Sequence, residues 1–348
     1  MPTDLMPVRV DPAGAGRAFW TRYHAFRRIE HADMWPDDPL PPDDVVQARL
    51  ERPDPFDMHH YFEVADGANM LSFLRAESAK PANPEYESNK HLIWADAYVV
   101  PDARRKGLGR SWLAVIVALM REHGCTVLGI TAERDSAHAF AKAIGAEARL
   151  TEIESRLELD DVDWQLMRRW VDEGPVRSPL TRLEIVDGPM PEPSLPEFAR
   201  QRTALLNTIP FEGLDHGEII VTPERVRDYQ ERAAATHEVM HNVIAWEPDG
   251  TISAMTDVSS APWRRTHIEQ QFTGVRPDAR GRGLGKWIKA AMLLHLRELY
   301  PDARWITTGN AHSNAPMLKI NRAMGFKPYR TWVEYQVGRD ELEALLRS

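Results

Sequence analysis

The pattern of hydrophobic and polar positions predicts the same succession of elements twice along the chain. The segments LIWADAYVV (92–100) and HIEQQFTGV (267–275) have the composition of β-strands. After a glycine-rich loop, apolar residues at spacings of three and four predict a helix, and these are Leu108, Leu113, Ile116 and Met120 in one series and Leu284, Ile288, Ala291 and Leu294 in the other. A further strand, TVLGIT or ARWITTG, and a further helix follow. Each series therefore predicts a βαβ-type unit.

The loops of the two series share a motif. The first reads YVVPDARRKGLGRSW and the second reads GVRPDARGRGLGKWI. The shared residues keep one constant spacing, and the pairs are Pro101 and Pro277, Asp102 and Asp278, Ala103 and Ala279, Arg104 and Arg280, Gly107 and Gly283, Leu108 and Leu284, and Gly109 and Gly285. Chance does not produce such agreement, so the sequence indicates a duplicated domain.

The segment between the two copies sets the predicted boundary. Residues 171–198 are rich in proline, glycine and acidic residues, which is typical of a linker, and LTRLEIV within it has strand character. We therefore place the first copy at 1–177 and the second at 178–348. Each is predicted to contain a strand, two helices, a meander of three strands, the motif helix, a strand, a helix and closing strands. The predicted class is α/β, with a mixed, largely antiparallel sheet flanked by helices in each domain.

Composition restricts the range of functions. A chain of 348 residues with 43% apolar and 27% charged residues suits two globular domains. It has a single cysteine, no signal-like N-terminus and no apolar run near the ~20 residues that cross a bilayer. We therefore expect a cytoplasmic protein without membrane contact. The net charge of -9 argues against nucleic acid as a partner and suits a cationic, amine-bearing substrate.

The repeated motif has the chemistry of an anion site. In both copies Arg-x-x-Gly-x-Gly leaves a strand and opens a helix. The first N–H groups of a helix lack partners and lie at its positive end, and glycine lets a bulky anion approach them. We therefore expect a phosphate or pyrophosphate ligand. A Walker loop is excluded because Trp287, not a hydroxyl residue, follows Lys286, and the alternating glycines do not match the dinucleotide fingerprint.

At these residues the chain resembles the GNAT superfamily of N-acetyltransferases, whose acyl-CoA motif is Arg/Gln-x-x-Gly-x-Gly/Ala after a strand that ends V-x-P. The tandem arrangement is similar to that of double-domain acetyltransferases of the mycothiol synthase type. The resemblance is strongest over residues 90–145 and 265–330. It implies acetyl-CoA as co-substrate, with pantetheine along the strand that ends at Val275, between splayed central strands. It also implies that a backbone N–H near 273–275 holds the tetrahedral oxyanion.

The same resemblance implies which residues bind the cofactor. The loop amides of residues 104–109 and 280–285 would hold the pyrophosphate. The implied cofactor-binding residues are Val275, Arg280, Gly281, Arg282, Gly283, Leu284, Gly285, Lys286, Asn310 and Asn314 in the second copy, and Arg104, Gly107 and Gly109 in the first.

The resemblance makes the second copy the better candidate for catalysis. The family pattern Asn-x6-Tyr-x3-Gly-Phe is matched by Asn314 and by Gly325-Phe326, with Asn321 at the tyrosine position. In the first copy Ala141 takes the tyrosine position, and Gly145-Ala146 ends the pattern. The second copy therefore keeps more of the pattern, although neither copy keeps the usual tyrosine acid.

Acetyl transfer to an amine requires a base for the protonated amine and a donor for the leaving thiolate. By the resemblance, Glu269 is the predicted base, acting through water, and Asp257 is the alternative. Asn321 can donate only a hydrogen bond to the thiolate. Tyr335 and Tyr329, both beyond the motif helix, are therefore alternative acids.

A competing motif lies at residues 237–241, where HEVMH matches the zinc signature H-E-x-x-H. That signature requires a helix, so that both histidines share a face. HEVMHNVIAW instead has strand character, and residues four apart on a strand lie ~13 Å apart, too far for one zinc ion. We therefore expect no metal.

The residues leave three functions open. We expect an acetyl-CoA-dependent N-acetyltransferase, monomeric or homodimeric, in which a primary amine of a small molecule attacks the thioester directly with carboxylate assistance. The alternatives are a protein or peptide N-acetyltransferase and a non-catalytic acyl-CoA-binding regulator. Residues 197–236, which would shape the acceptor pocket, contain no motif that identifies the amine.

Overall fold

A computed structural model describes residues 5–347. The chain forms two compact units that are not two uninterrupted halves. The first unit contains the residues up to 151, residues 211–218 and the residues from 332 onward, and the second contains residues 152–210 and 219–331. The predicted division between residues 177 and 178 follows the duplicated sequence instead, and it stays a prediction.

The first unit has a sheet of six strands within the described residues. Numbered along the chain and given in sheet order, these are β1 (Val8–Val10), β2 (Asp57–Asp66), β3 (Asn69–Ala79), β4 (Leu92–Val99), β5 (Val127–Ala132) and residues 332–338 of β12 (Lys327–Gly338). Its helices are α1 (Arg17–Met34), α2 (Asp43–Glu51), α3 (Tyr86–Asn89), α4 (Leu108–His123), α5 (Asp135–Ala143) and α11 (Arg339–Arg347). Strands β4 and β5 run parallel, and the other neighbours run antiparallel.

The second unit repeats this arrangement. In sheet order its strands are β7 (Arg182–Asp187), β8 (Val239–Trp246), β9 (Ile252–Ser260), β10 (His267–Val275), β11 (Trp305–Ala311) and residues 152–158 of β6 (Glu147–Glu158). Its helices are α6 (Trp164–Arg177), α7 (Leu195–Leu206), α8 (Pro223–Ala235), α9 (Leu284–Leu299) and α10 (Ala315–Met324). Only β10 and β11 run parallel among these neighbours. The predicted α/β class, with mixed and largely antiparallel sheets, is confirmed.

Each sheet is closed by a strand that belongs, in sequence, to the other copy of the duplicated segment. In the first unit β5 pairs with β12, so that Tyr335 lies opposite Ile130. In the second unit β11 pairs with β6, so that Thr307 lies opposite Arg156. The sequence could not show this exchange, because either closing strand has the alternating pattern that either sheet requires.

Part of the predicted linker is helical. Residues 164–177 form α6, although Pro175 lies inside this helix. A side chain at Gly174 would overlap the ring of Trp287 on α9, so glycine permits the two helices to pack closely. A proline-rich composition does not exclude a helix that tertiary packing stabilises.

In the described part of the chain, no helix is long and apolar enough to cross a membrane.

Candidate functional site

The repeated loop in the second unit has the geometry of an anion site. Strand β10 ends at Val275, a single 3-10 turn covers Pro277–Ala279, and α9 begins at Leu284. Gly281 and Gly283 have φ angles of 81° and 84°, which only glycine adopts readily. The loop therefore turns sharply into the helix and exposes amides that have no intrahelical acceptor.

Gly285 brings this helix close to its neighbours. A Cβ built on Gly285 would lie 3.2 Å from Ile320 Cδ1 of α10 and 3.4 Å from Val275 Cγ2. Leu284 is buried in the core. These positions explain why the motif needs glycine at 285 and an apolar residue at 284, whether or not a ligand is bound.

The basic residues around this loop differ in their availability to an anion. Arg280 is exposed, and its Nε donates to the carbonyl oxygen of Val275 at 3.4 Å. Arg282 instead pairs with Glu247, with Nη1 3.0 Å from Oε1, and it also donates to Thr181. Of the two arginines in this loop that were predicted to bind the cofactor, Arg280 is therefore the one available to a phosphate.

Two further cations lie at the loop. Lys286 is exposed, and its Nζ lies 5.0 Å from the centroid of the Trp170 ring. Arg177, at the end of α6, donates through Nη2 to the carbonyl oxygen of Gly281 at 3.3 Å. Sequence reasoning missed Arg177, because it lies in another segment and has no fixed place in the motif.

The loop of the first unit has the same turn but different surroundings. Gly107 has a φ angle of 88°, and Arg105, the counterpart of Gly281, has a φ angle of 62°. Arg104 donates to the carbonyl oxygen of Val99 at 3.0 Å and to the Asp33 carboxylate. The Arg104 guanidinium therefore already has an anionic partner within the unit.

Asp33 is held by three donors. Besides Arg104, Arg134 Nη1 lies 2.9 Å and Tyr98 Oη lies 2.8 Å from its carboxylate oxygens. Burial acts to raise the pKa of Asp33, but the hydrogen bonds from Arg104, Tyr98 and Arg134 outweigh it and lower that pKa below its usual range. Asp33 is therefore an anion at neutral pH, next to the arginine of the first loop.

The central parallel strands separate in both units. In the second unit the pairing of β10 with β11 extends from His267 to Gln270, and β10 then has a bulge against β9 between Gln270 and Phe272. In the first unit the pairing of β4 with β5 extends from Leu92 to Trp94. The pairing of each of these two strand pairs ends there, and the pantetheine gap that the resemblance implies stays a prediction.

Different side chains lie where the strands separate. In the first unit the Trp94 ring lies so close to Gly129 that a Cβ there would overlap it. In the second unit Gln270 occupies the corresponding strand position, and its Nε2 donates to the Asp257 and Phe272 carbonyl oxygens at 2.7 and 3.0 Å. Gln270 therefore joins β9 to both sides of the bulge.

A buried lysine supports Gln270. Lys289 of α9 is 2% exposed, and its Nζ donates to Gln270 Oε1 at 3.1 Å and lies 5.3 Å from the centroid of the Phe326 ring. Burial lowers the pKa of Lys289 to about 7. The motif alignment places Leu113 at this position in the first unit, and the sequence analysis did not single out Lys289.

The predicted base Glu269 lies on β10 with its side chain half exposed. Its Oε2 lies 3.5 Å from Arg264 Nη2 and accepts from Gln271 Nε2 at 3.3 Å. The alternative base, Asp257, is 2% exposed and accepts from both Nη atoms of Arg202 at 2.9 and 3.3 Å. Glu269 is therefore the more accessible of the two carboxylates.

Two of the three predicted asparagines contact each other, and the third caps a helix. Asn321 is buried, and its Nδ2 donates to Asn310 Oδ1 at 2.7 Å. Among the described residues, Asn321 Oδ1 has no hydrogen-bond partner. Asn314 caps α10, accepting from the backbone N–H of Met317 at 3.4 Å. Asn310 and Asn321 thus lie together, whereas the visible role of Asn314 is that of a helix cap.

Tyr335 lies in a different unit from the other two predicted catalytic residues. Tyr335 belongs to the first unit, where its Oη lies 3.0 Å from His138 Nδ1. Glu269 and Asn321 belong to the second unit. The cause is the strand exchange, because β12 follows the second motif helix in sequence but completes the first sheet. Tyr329, the other alternative acid, remains in the second unit, under the Arg156 guanidinium.

The H-E-x-x-H segment does not form the helix that a zinc protease requires. Its residues from Val239 onward belong to β8, and His237 precedes the strand with a φ angle of 57°.

Comparison with protein families and sequences finds that the chain is similar to acetyltransferases. The model of the acetyltransferase (GNAT) family matches residues 20–146, within the first copy. The mycothiol acetyltransferase of Thermobifida fusca (strain YX) is 27% identical over 262 residues, covering 69% of this chain and 73% of the relative. That of Thermomonospora curvata is 28% identical over 252 residues, covering 69% and 72%.

Solved structures share the fold over nearly the whole chain. A tandem GNAT protein from the clavulanic acid biosynthesis pathway is 21% identical, with a TM-score of 0.77, over 96% of this chain and 98% of its own. A GCN5-related N-acetyltransferase from Sphaerobacter thermophilus is 16% identical, with a TM-score of 0.61, over 97% of each chain. The predicted tandem-domain resemblance is confirmed. Which copy is catalytic stays a prediction, since the family model matches the first.

Proposed function

We propose that this tandem-domain GNAT N-acetyltransferase moves the acetyl group of acetyl-CoA to a primary amine of a small molecule, and that its second unit catalyses the reaction. The observation that supports this choice is the opening between β10 and β11. Strand β10 holds the accessible carboxylate of Glu269 and the bulge after Gln270, and the anion loop follows directly after this strand.

In this reaction the amine nitrogen attacks the thioester carbonyl, the new C–N bond forms, and the C–S bond breaks. The oxyanion needs a backbone donor, and residues 273–275 of β10, which pair with β9 but lie beyond the pairing with β11, offer amides of the required kind. Glu269 takes the proton of the attacking amine through water, because its side chain is half exposed. The CoA thiolate leaves with a hydrogen bond or a proton.

Asn321 is the proposed donor to the leaving thiolate. Its amide already donates to Asn310, so it acts by a hydrogen bond and not by proton transfer. A cysteine thiol has an ordinary pKa of about 8.5, so a thiolate of this kind can leave without full protonation. Tyr329 is the alternative acid in this unit.

A small-molecule acceptor is supported by the relatives, which are named as mycothiol acetyltransferases. The acidic character of the chain, with a net charge of -9, also favours a cationic amine over an anionic acceptor. The alternatives remain a peptide amine and acyl-CoA binding without turnover, the latter because Asn321 and Ala141 replace the usual acid in the two copies.

The test is release of CoA from acetyl-CoA with a panel of small amines, including amino sugars and amino acid derivatives, and with a peptide panel. We expect turnover with small amines, and Glu269→Gln should lower kcat by about 100-fold, the usual contribution of a general base. The matched control is Gln271→Glu, which leaves Glu269 in place and adds a second carboxylate two residues away. Tight CoA binding without turnover of any amine would contradict the enzyme interpretation, and turnover of peptides alone would contradict the small-molecule acceptor.

A further inference from the structure

A cluster of two histidines and one aspartate lies in the second unit, outside the anion loop. Asp187 ends β7, His241 lies on β8 directly opposite it in the strand register, and His295 lies on α9. Asp187 Oδ1 lies 2.6 Å from His241 Nδ1 and 2.8 Å from His295 Nε2. One ligand atom from each residue lies within 4.8 Å of the others. Three rigid elements therefore direct two imidazole nitrogens and a carboxylate to one point.

We propose that Asp187, His241 and His295 form a site for a zinc-like divalent transition-metal ion. Two imidazoles and one carboxylate are a ligand set that suits such ions, with a fourth position left for water. The sequence analysis expected no metal because it judged His237 and His241 as a pair. The cluster uses His241 with partners that are distant in sequence.

The contacts around His241 support this assignment. His241 is 2% exposed, and its Nε2 lies 2.7 Å from Tyr300 Oη and 3.3 Å from Ser260 Oγ. A ligating histidine usually has its other ring nitrogen hydrogen-bonded, which fixes its tautomer and orientation. The Tyr300 and Ser260 hydroxyls, themselves 2.7 Å apart, meet this requirement and leave Nδ1 directed at Asp187.

The site is accessible, and its two nitrogen–oxygen distances need little adjustment. The Asp187 side chain is 44% exposed and that of His295 is 19% exposed, so an ion and a water molecule can reach the cluster. Ligand bonds of ~2.0–2.1 Å in tetrahedral geometry place ligand atoms ~3.3 Å apart. The nitrogen–oxygen distances of 2.6 and 2.8 Å would therefore open by about 0.7 and 0.5 Å, which side-chain rotation provides.

The first unit provides a natural comparison. On the corresponding strands and helix it has Arg9, His60 and His123, with Arg9 Nη2 2.8 Å from His60 Nδ1 and the two imidazole rings 4.7 Å apart. A guanidinium in place of the carboxylate supplies no ligand and repels a cation. The proposal therefore assigns metal binding to the second unit alone.

The test is titration of the untagged, chelator-treated full chain with Co²⁺ and then Zn²⁺, following the visible absorption of bound Co²⁺ and the melting temperature. We expect one Co²⁺ per chain, displaced by Zn²⁺, and a rise in melting temperature with Zn²⁺. His295→Gln and Asp187→Asn, at accessible positions, should each weaken binding at least about tenfold, since loss of even an outer contact costs that much.

The matched control is His123→Gln, which alters the corresponding cluster of the first unit and should bind Co²⁺ as the wild type does. Circular dichroism checks that the variants fold. No Co²⁺ binding by the wild-type chain overturns the proposal without reference to any variant. Binding that survives in both His295→Gln and Asp187→Asn, or that is lost in His123→Gln, overturns it as well. Acetyl transfer is a separate readout, so either proposal can fail alone.

Discussion

The two units share a framework and differ in what fills it. Both have a parallel strand pair that separates, a glycine turn with φ above 80° at the helix start, and an antiparallel strand that closes the sheet. Where the strands separate, however, the first unit has Trp94 against Gly129, and the second has Gln270 bonded to Lys289. An apolar contact in one unit corresponds to a polar one in the other.

The anion loops differ in the same direction. Arg104 of the first loop is paired with Asp33, whereas Arg280 of the second is exposed and bonded to a backbone carbonyl. An arginine that is already neutralised contributes less to an incoming pyrophosphate, because its carboxylate partner repels the same anion. The comparison teaches that a repeated motif preserves the backbone turn, while the charge and packing around it decide which turn binds pyrophosphate.

The largest expected effect comes from replacing the glycine of one turn at a time with valine. Gly283→Val places a β-branched residue at a φ angle of 84° and against Arg177, 3.3 Å away. Such backbone strain costs about 1–3 kcal/mol. Because the side chain also blocks the anion, we expect kcat/KM for acetyl-CoA to fall about 100-fold or more, by the relation of tenfold per ~1.4 kcal/mol.

Gly107→Val is the matched change, since the φ angle there is 88°. We expect it to strain the first turn equally. After correction for any loss of folded protein, it should lower kcat/KM by less than about threefold. Steady-state kinetics with folded fractions measured by circular dichroism separates the two effects. A larger loss in Gly107→Val than in Gly283→Val would show that the first unit is catalytic.

The next prediction concerns the buried Lys289 that contacts Gln270. Lys289 has a folded-state pKa of about 7, below its ordinary value, so the unfolded chain binds more protons between about pH 7 and pH 10.5. The stability of the second unit therefore rises with pH across this window, and the full burial penalty applies below it. Lys289→Leu removes the penalty and should stabilise the unit by on the order of 2 kcal/mol at pH 7.

The stabilisation should shrink as the pH approaches 10, since the lysine is then neutral in the folded chain. Urea unfolding at pH 7, 8.5 and 10 measures the difference in the free energy of unfolding between Lys289→Leu and the wild type. Leu113→Lys is the reverse exchange in the first unit and should destabilise it, most strongly at pH 7. A gap between Lys289→Leu and wild type that does not change with pH would contradict the lowered pKa.

Much of the framework could be predicted from the sequence, because the information is local. The repeated glycine turns, the order of elements and the mixed sheet follow from short-range patterns that the structure keeps. The strand exchange does not follow, since β6 and β12 have interchangeable patterns and only tertiary packing decides which sheet each one closes. Tyr335, expected with the second copy, consequently lies in the sheet of the first unit.

The site itself was predicted less completely. The sequence indicated the exposed carboxylate of Glu269 and the asparagine pair, but it treated all arginines of the second motif alike. Arg282 lies in the motif, yet it is held by Glu247, and Arg177 lies outside the motif, yet it contacts the loop. Partners of this kind come from other segments of the chain, so no pattern within the motif reveals them.

The smallest expected effect separates two arginines of one loop. Arg280→Gln should raise the KM for acetyl-CoA about tenfold, because an exposed guanidinium next to the turn is free to pair with phosphate, and charge-assisted hydrogen bonds contribute about 1.5–3 kcal/mol. Arg282→Gln should change it by less than about twofold, because the Arg282 guanidinium is already paired with Glu247, although the variant should lose some stability. Arg104→Gln, in the first unit, should also leave this KM unchanged, since Asp33 neutralises that arginine and the second unit is proposed to react. Equal effects of Arg280→Gln and Arg282→Gln would show that the Glu247 pair opens when the cofactor binds, and the charge difference between the two loops would then lose its importance.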